Sequence, residues 1–564
     1  MKIKIPAHKQ QVLALFLVII FSFGTRAQSP PDAGQTSREL QKQPELNKPP
    51  NATKPTKPLP IESTAPHKQT TQDVRITVKA IHVTGSSVYP ANTLEAIVAD
   101  LVGREVNMAE LEAGIERITA FYRANFFVVA RAYLPPQQID GGVIVVKVLE
   151  GRLEELRINN QSRVADSLIN AYLSRLKNDK ALQSKPIDRS LLLLNDMPGV
   201  GVARGSLQPG VSVGTSDLIV ELTPSAPYSG KVELDNYGNR YTGENRLGAA
   251  LAINSPYTLG DQISLRALIS EQNLTYGRLA YQLPVGSSGL RAGAAYSDTR
   301  YKLGKEFAAL EARGTANSGS LFATYPIIRS QVGNLTGTLS VENKNLNDRM
   351  AAFNTATDKN IALVNLGLAG NIQDTLNAAA VSSFELSLVS GRLSMDATSL
   401  DLDNASTKSN GPFTRLAYNI SRQQRLTNTY TLALAVSGQL AGKNLNSSEK
   451  FSLGGVSGVR AYPQGEGVGD QGLLVNLELL HAFKNNIQGL VFYDYGSVEI
   501  NRNPFTVSEN TRSLSGFGVG MNVSFAGLQL KTHLAWRTAG GAPTSEPVLA
   551  DRNPRLWVQV GKQF

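Results

Sequence analysis

From Tyr228 to Phe564 the chain shows no helical periodicity, and this is what most narrows the folds open to it. Leu247, Ala249, Leu251 and Ile253 alternate with small or polar neighbours, and Ile263, Leu265 and Ala267 with Ser264, Arg266 and Leu268. Tyr430, Leu432, Leu434 and Val436 alternate with Thr431, Ala433, Ala435 and Ser437. Leu528, Leu530, Thr532, Leu534 and Trp536 alternate with Gln529, Lys531, His533, Ala535 and Arg537. Successive side chains of a strand point to opposite faces, so each run has one apolar face and one face of small, polar or cationic groups. A soluble β-sandwich alternates too, but it does not need Arg and Lys on the second face of so many strands. A barrel with lipid outside and water inside does. The 49 glycines suit strands joined by many turns.

The N-terminal 27 residues read as a secretory signal. Lys2, Lys4 and Lys9 precede the apolar run Val12 to Phe23, and Thr25-Arg26-Ala27 offers small residues for cleavage. That run falls short of the roughly 20 apolar residues of a spanning helix. No other run approaches that length, so membrane residence has to be by strands. The chain has no cysteine, which suits an exported protein, and its net charge of +10 fits a polar-lined barrel or a soluble basic protein alike. Residues 28–72 hold nine of the 27 prolines among Gln, Thr and Lys. Such a composition buries little apolar surface and predicts an extended linker. Only Gln35 to Gln43 can form a short helix there, and Pro44 ends it.

Residues 73–151 and 152–225 repeat one order: strand, helix, helix, strand, strand. In the first, Ile76, Val78, Ala80 and His82 alternate, and Pro90 to Leu101 is a helix. Met108 to Asn125 is a second helix with Leu111, Ile115, Ile118 and Tyr122 on one face. Phe126 to Leu134 and Val143 to Leu149 are strands. The second module has a strand near Leu156 to Asn159, helices Ala165 to Leu176 and Asp188 to Asn195, and strands Gly201 to Leu207 and Leu218 to Leu222.

Gly458 to Asp470 can be neither helix nor regular strand, since four glycines and a proline leave it no periodicity. It presents Arg460 and Tyr462 and runs into the alternating row Leu473, Val475, Leu477 and Leu479. Beyond lies Phe492-Tyr493-Asp494-Tyr495-Gly496, a strand-like run with one carboxylate. This pairing resembles the inward-folded sixth loop and facing strand of the two-partner secretion transporters. These form the haemolysin and filamentous-haemagglutinin secretion/activation family of the outer-membrane assembly superfamily. Other stretches share the likeness: Ala130 to Gln137 with Glu150-Gly151, Leu191 to Val200, Asp235-Asn236-Tyr237-Gly238, and the aromatic-terminated end Leu556 to Phe564.

The resemblance implies a transmembrane β-barrel of about sixteen antiparallel strands over residues 226–564. It also implies two α/β POTRA domains before the barrel and an Arg that meets an Asp on the inner wall; the plug helix that such transporters often carry in the linker is here either short and unstable or lacking. Carried to this chain, the loop and barrel positions are Arg460, Tyr462, Asp494 and Gly496; Ala461 stands where the family usually has Gly. Arg131 and Tyr133 are candidates for partner binding at a POTRA edge. The implied function is an outer-membrane pore, POTRA domains in the periplasm, that secretes an unfolded partner without ATP. That partner would be a large haemolysin, adhesin or toxin-like protein. The C-terminal Phe564 would engage the barrel-assembly machinery, and the barrel outer-membrane lipid. A barrel-assembly insertase or a passive porin are the other functions considered.

No catalytic constellation stands out. The histidines (8, 67, 82, 481 and 533) are scattered, so no metal site or cofactor is expected, nor a nucleic-acid partner. There is no G-x-x-x-x-G-K-[ST] run for a nucleotide. Gly210-Val211-Ser212-Val213-Gly214 matches a nucleophile elbow but precedes a strand, where the elbow needs a helix. Arg266, Lys531 and Arg537 suggest a cationic lumen that attracts an acidic segment, or equally a counter-charged lining.

Overall fold

The computed structural model describes residues 30–41, 75–177, 180–376 and 378–564. The signal sequence and most of the Pro-rich stretch, Pro44 included, lie outside the described residues.

The first α/β unit has the sheet order Ala80–Thr84, Val143–Leu149, Arg131–Tyr133, with the first pair parallel and the second antiparallel. Ile144, Val146 and Val148 of the central strand point into the core beneath the helices. Helix Met108–Ala124 begins with a capping box: Asn107 accepts from the Glu110 N–H, and the Glu110 carboxylate accepts from the Asn107 N–H. Its buried stripe is Leu111, Ile115, Ile118 and Tyr122. The strand expected over Phe126 to Leu134 shrinks to Arg131–Tyr133. Phe126 adopts φ +72° to leave the helix and Phe127 drops into the core, so these residues end a helix instead of extending a sheet.

The second unit orders its strands Arg152–Asn160, Thr215–Pro224, Val200–Pro209 and adds helices Asp166–Leu173 and Ser184–Asn195. The latter starts before the expected Asp188, because Pro186 falls in its first turn, where a missing N–H breaks no helical bond. Leu191 to Leu194 are all buried.

Sixteen antiparallel strands close the barrel, from Tyr228–Asp235 to Arg555–Gln563. The closing seam runs from Gln559 opposite Asp235 to Gln563 opposite Lys231. Phe564 extends it by exchanging backbone hydrogen bonds of 2.9 and 3.0 Å with Gly230. The second α/β unit docks at the short-turn mouth of the barrel. There Arg329 grips Asp196 through two hydrogen bonds of 2.6 and 2.7 Å, and Arg189 donates to the Pro326 carbonyl at 2.6 Å.

Candidate functional site

Residues 442–470 join strands Tyr430–Ala441 and Gln471–Ala482, and they turn back into the barrel. Leu453, Val459 and Tyr462 are fully buried against the wall residues Leu474, Phe492, Leu514 and Ala535. Two wall glycines make that approach possible. A Cβ at Gly496 would stand 2.6 Å from Leu453 Cδ2, and one at Gly516 only 2.5 Å from Ala461 Cβ. The methyl of Ala461 thus occupies space that the opposite strand leaves empty.

Arg460 is the tip of this fold. Its Nη2 donates to Asp494 Oδ1 at 2.7 Å and its Nε to Oδ2 at 2.9 Å, a bidentate fork, while its backbone N–H reaches Oδ2 at 3.1 Å. Nη1 donates to Glu478 Oε1 at 2.6 Å, and the guanidinium lies 3.5 Å over the Phe492 ring. Asn476 donates to Asp494 Oδ1 at 2.7 Å, and the Trp557 indole donates to the Arg460 carbonyl at 2.7 Å. The Arg460 side chain is 4% exposed and that of Asp494 is fully buried. A buried charge is tolerated only when paired and hydrogen-bonded, and both charges are saturated here. The Tyr462 hydroxyl sits 2.8 Å from the Ala539 carbonyl and 2.9 Å from that of Gly541, so its one proton is shared between them. Gly496 lies two residues beyond Asp494 on the same strand and serves as the floor for Leu453.

The rest of the loop is bound as firmly. Glu466 takes Arg512 at 2.8 Å and the N–H groups of Thr544 and Ser545 at 2.9 and 2.8 Å. Asp470 takes the N–H groups of Leu445 and Arg502.

A second segment fills the lumen. Helix Ala33–Gln41 starts two residues before the expected Gln35, because Asp32 accepts the Gln35 N–H at 2.9 Å and caps it. Asp32 also accepts from Ser447 Oγ at 2.7 Å, and the Ala33 N–H donates to Asp348 at 2.9 Å. Arg38 donates to Gln439 at 2.9 Å and to the Ser448 carbonyl at 3.3 Å. Ala33 and Leu40 join the apolar cluster of Leu268, Tyr276, Leu346 and Leu363. Beneath them Glu449 bridges Lys344 at 2.9 Å and Arg415 at 2.8 Å. Sequence reasoning missed Asp32, Glu449, Lys344, Glu478, Asn476 and Trp557. Each meets a partner far off in the chain, and the only local signal was Asp32 standing before a helical run.

The other expected residues lie apart from this centre. Arg131 is exposed and Tyr133 half-buried on the outer strand of the first sheet. Lys531 is exposed on the lumenal face, Arg266 approaches the Tyr276 ring at 5.6 Å, and Arg537 is engaged by Asp551 at 2.7 and 2.8 Å. Arg537 is thus already countered. Ser212 sits in the exposed turn between two strands and donates to Glu154 Oε1 at 2.7 Å. Hydrogen bonds from Thr215 and Ser212 hold the Glu154 carboxyl down at about 2. The serine braces a turn; it is not on a strand-to-helix elbow.

A closed sixteen-stranded wall with a mouth-docked α/β pair and an inward loop pinned by a buried ion pair defines an outer-membrane β-barrel of the POTRA-bearing kind. The family model described as haemolysin secretion/activation protein ShlB/FhaC/HecB matches residues 214–523, and that of the ShlB-type POTRA domain matches residues 76–151. The chain belongs to this family of secretion/activation proteins. It is 30% identical to the heme/hemopexin transporter protein HuxB of Haemophilus influenzae, over 93% of this chain and 94% of that one. It is 25% identical to the outer membrane transporter CdiB of Dickeya dadantii, over 82% of each. Among solved structures it resembles CdiB from Escherichia coli with a TM-score of 0.70 at 17% identity, covering all of both chains. BamA from Haemophilus ducreyi, lacking its first three POTRA domains, gives 0.51 at 13% identity over 86% of this chain.

Proposed function

We propose that the protein carries one large exported partner across the outer membrane as an extended chain. The observation that supports this reading best is the continuity of a POTRA pair with one mouth of a closed wall whose lumen holds an inward loop and a short helix. In this reading the POTRA units lie in the periplasm and capture the partner by adding its backbone to a sheet edge, with Arg131–Tyr133 as the receiving strand. Recognition through main-chain hydrogen bonds suits a partner that has not folded. Folding beyond the far mouth gives the direction, since a folded domain cannot return. The names of relatives for heme/hemopexin transport and for hemolysin transport fit a large exported partner. Phe564, at the end of the closing strand, is the residue proposed to engage the barrel-assembly machinery.

Arg460, Tyr462, Asp494 and Gly496 act in this reading as the clamp that keeps the loop inside while the wall stays closed. The test is partner export by Arg460→Ala. A fall of about tenfold or more with normal barrel insertion is expected, the scale on which positioning contacts act. Export at the native rate from a correctly inserted variant would remove the loop from the mechanism.

A further inference from the structure

On the outer face of the wall, the residues pointing away from the lumen change character abruptly. Along strand Gly333–Met350 they run Leu339, Val341, then Asn343, Asn345, Asn347 and Arg349. The neighbouring strand Thr355–Asp374, read from its loop end, passes from Asn360 to Ala362, Val364 and Leu366. This switch marks the edge of the apolar band. A shallow groove of about 750 Å³ lies at that edge. Its outward-facing lining is apolar in one cross-strand row (Leu321, Val341, Val364), and the next row toward the loops runs Gly319, Asn343, Ala362 and Arg392. A Cβ added at Gly319 would meet nothing within 4 Å, so the groove is open toward the bilayer.

Arg392 points outward, because its neighbours Gly391 and Leu393 face Phe413 and the lumenal apolar cluster. It is exposed and has no hydrogen bond or ion pair with any described residue. An unpaired guanidinium at the edge of the hydrocarbon calls for an anion at headgroup height, and a phosphate matches its planar fork. The groove below it suits an acyl chain, and the Asn343, Asn345 and Asn360 amides suit hydroxyl groups. Lys302, Arg313 and Arg349 form a cross-strand row on the same outer face nearer the loops.

We propose that this groove, with Arg392 at its rim, binds a phosphate-bearing lipid of the outer leaflet, acyl chain in the groove and phosphate on the guanidinium. The site rests on the barrel residing in the outer membrane and is independent of what passes through it.

The test uses the full chain in phosphatidylcholine nanodiscs, doped with diphosphorylated lipid A or with its dephosphorylated form. Lipid co-purifying with the protein is then measured after detergent exchange. Wild type should retain diphosphorylated lipid A at least tenfold over the Arg392→Gln variant, and Arg392→Lys should be intermediate. Gly319→Leu, which fills the groove and leaves Arg392 in place, should also lower retention. Heat-modifiable electrophoretic mobility reports barrel closure separately, so loss of the barrel is not confused with loss of the site. Equal retention by wild type and Arg392→Gln, or of the two lipid forms by wild type, overturns the assignment. So does inorganic pyrophosphate displacing the bound lipid as completely as added lipid A, since the groove would then contribute nothing.

Discussion

Arg460 and Asp494 are each expensive alone. Removing one partner of a buried ion pair leaves the other charge without compensation, at a cost of about 3–5 kcal/mol. Arg460→Ala and Asp494→Ala should each lower the unfolding free energy of the barrel by that order. The double variant should cost less than the sum of the two, because the fully buried Asp494 carboxylate is then gone and only the partly exposed Glu478 loses its partner. Denaturant titration of the three variants checks this, and strict additivity would mean the pair is not coupled. Around the pair the wall is shaped by absent side chains. Gly496→Ala places a methyl 2.6 Å from Leu453 Cδ2 and should destabilise by about 1–3 kcal/mol. Adding Leu453→Ala to that variant should recover part of the loss in the same titration. The sequence suggested Arg460 opposite Asp494 because both sit in recognisable runs. Why Ala461 is accommodated was hidden, since the space comes from Gly516 on another strand. The tether from Trp557 was hidden too, because it is a single contact across 97 residues of chain.

At the scale of elements, helix Ala33–Gln41 is held mainly through its ends, by Asp32 at Ser447 and by Arg38 at Gln439 and Ser448. Replacing Asp32 and Arg38 together by Ala should loosen it and raise single-channel conductance in planar bilayers. Unchanged conductance would show that the helix does not limit ion flow. Glu150 ties the first α/β unit together. It accepts the N–H groups of Ser87 and Val88, each at 2.8 Å, and the Tyr122 hydroxyl at 2.9 Å. Burial pushes its carboxyl up, but hydrogen bonds from Ser87 and Val88 outweigh that and leave it below its ordinary 4.5. The folded value being the lower one, this stabilisation is complete above about 4.5 and is lost as pH falls below it. Amide exchange at Ser87 and Val88, corrected for intrinsic rates, should therefore show protection at pH 7 that decays in acid. Glu150→Gln should lack much of it at every pH, and equal protection would contradict the role. Helix and strand order was legible from periodicity. Element ends were less so, since Phe126 and Pro186 obey local backbone rules that periodicity does not report.

For the whole molecule, alternation sufficed to read a barrel because lipid outside and water inside impose opposite demands on neighbouring residues. It did not reveal how far the strands reach past the apolar band. The outward residues become Asn343, Asn345 and Asn347 there while Lys344 and Asp348 face inward, and polar groups on both faces look like a loop. Nor did it show which α/β unit meets the barrel, because the Arg329–Asp196 contact joins two segments with no shared pattern. In the proposed function the lumen is the route of the partner. Lys531 faces that lumen and is exposed, so a photoreactive residue in its place samples the passage without touching the clamp. Illumination during export should give a covalent adduct between the barrel and the partner. Full export with an adduct only to outer-membrane lipid, or with none, would contradict the central claim.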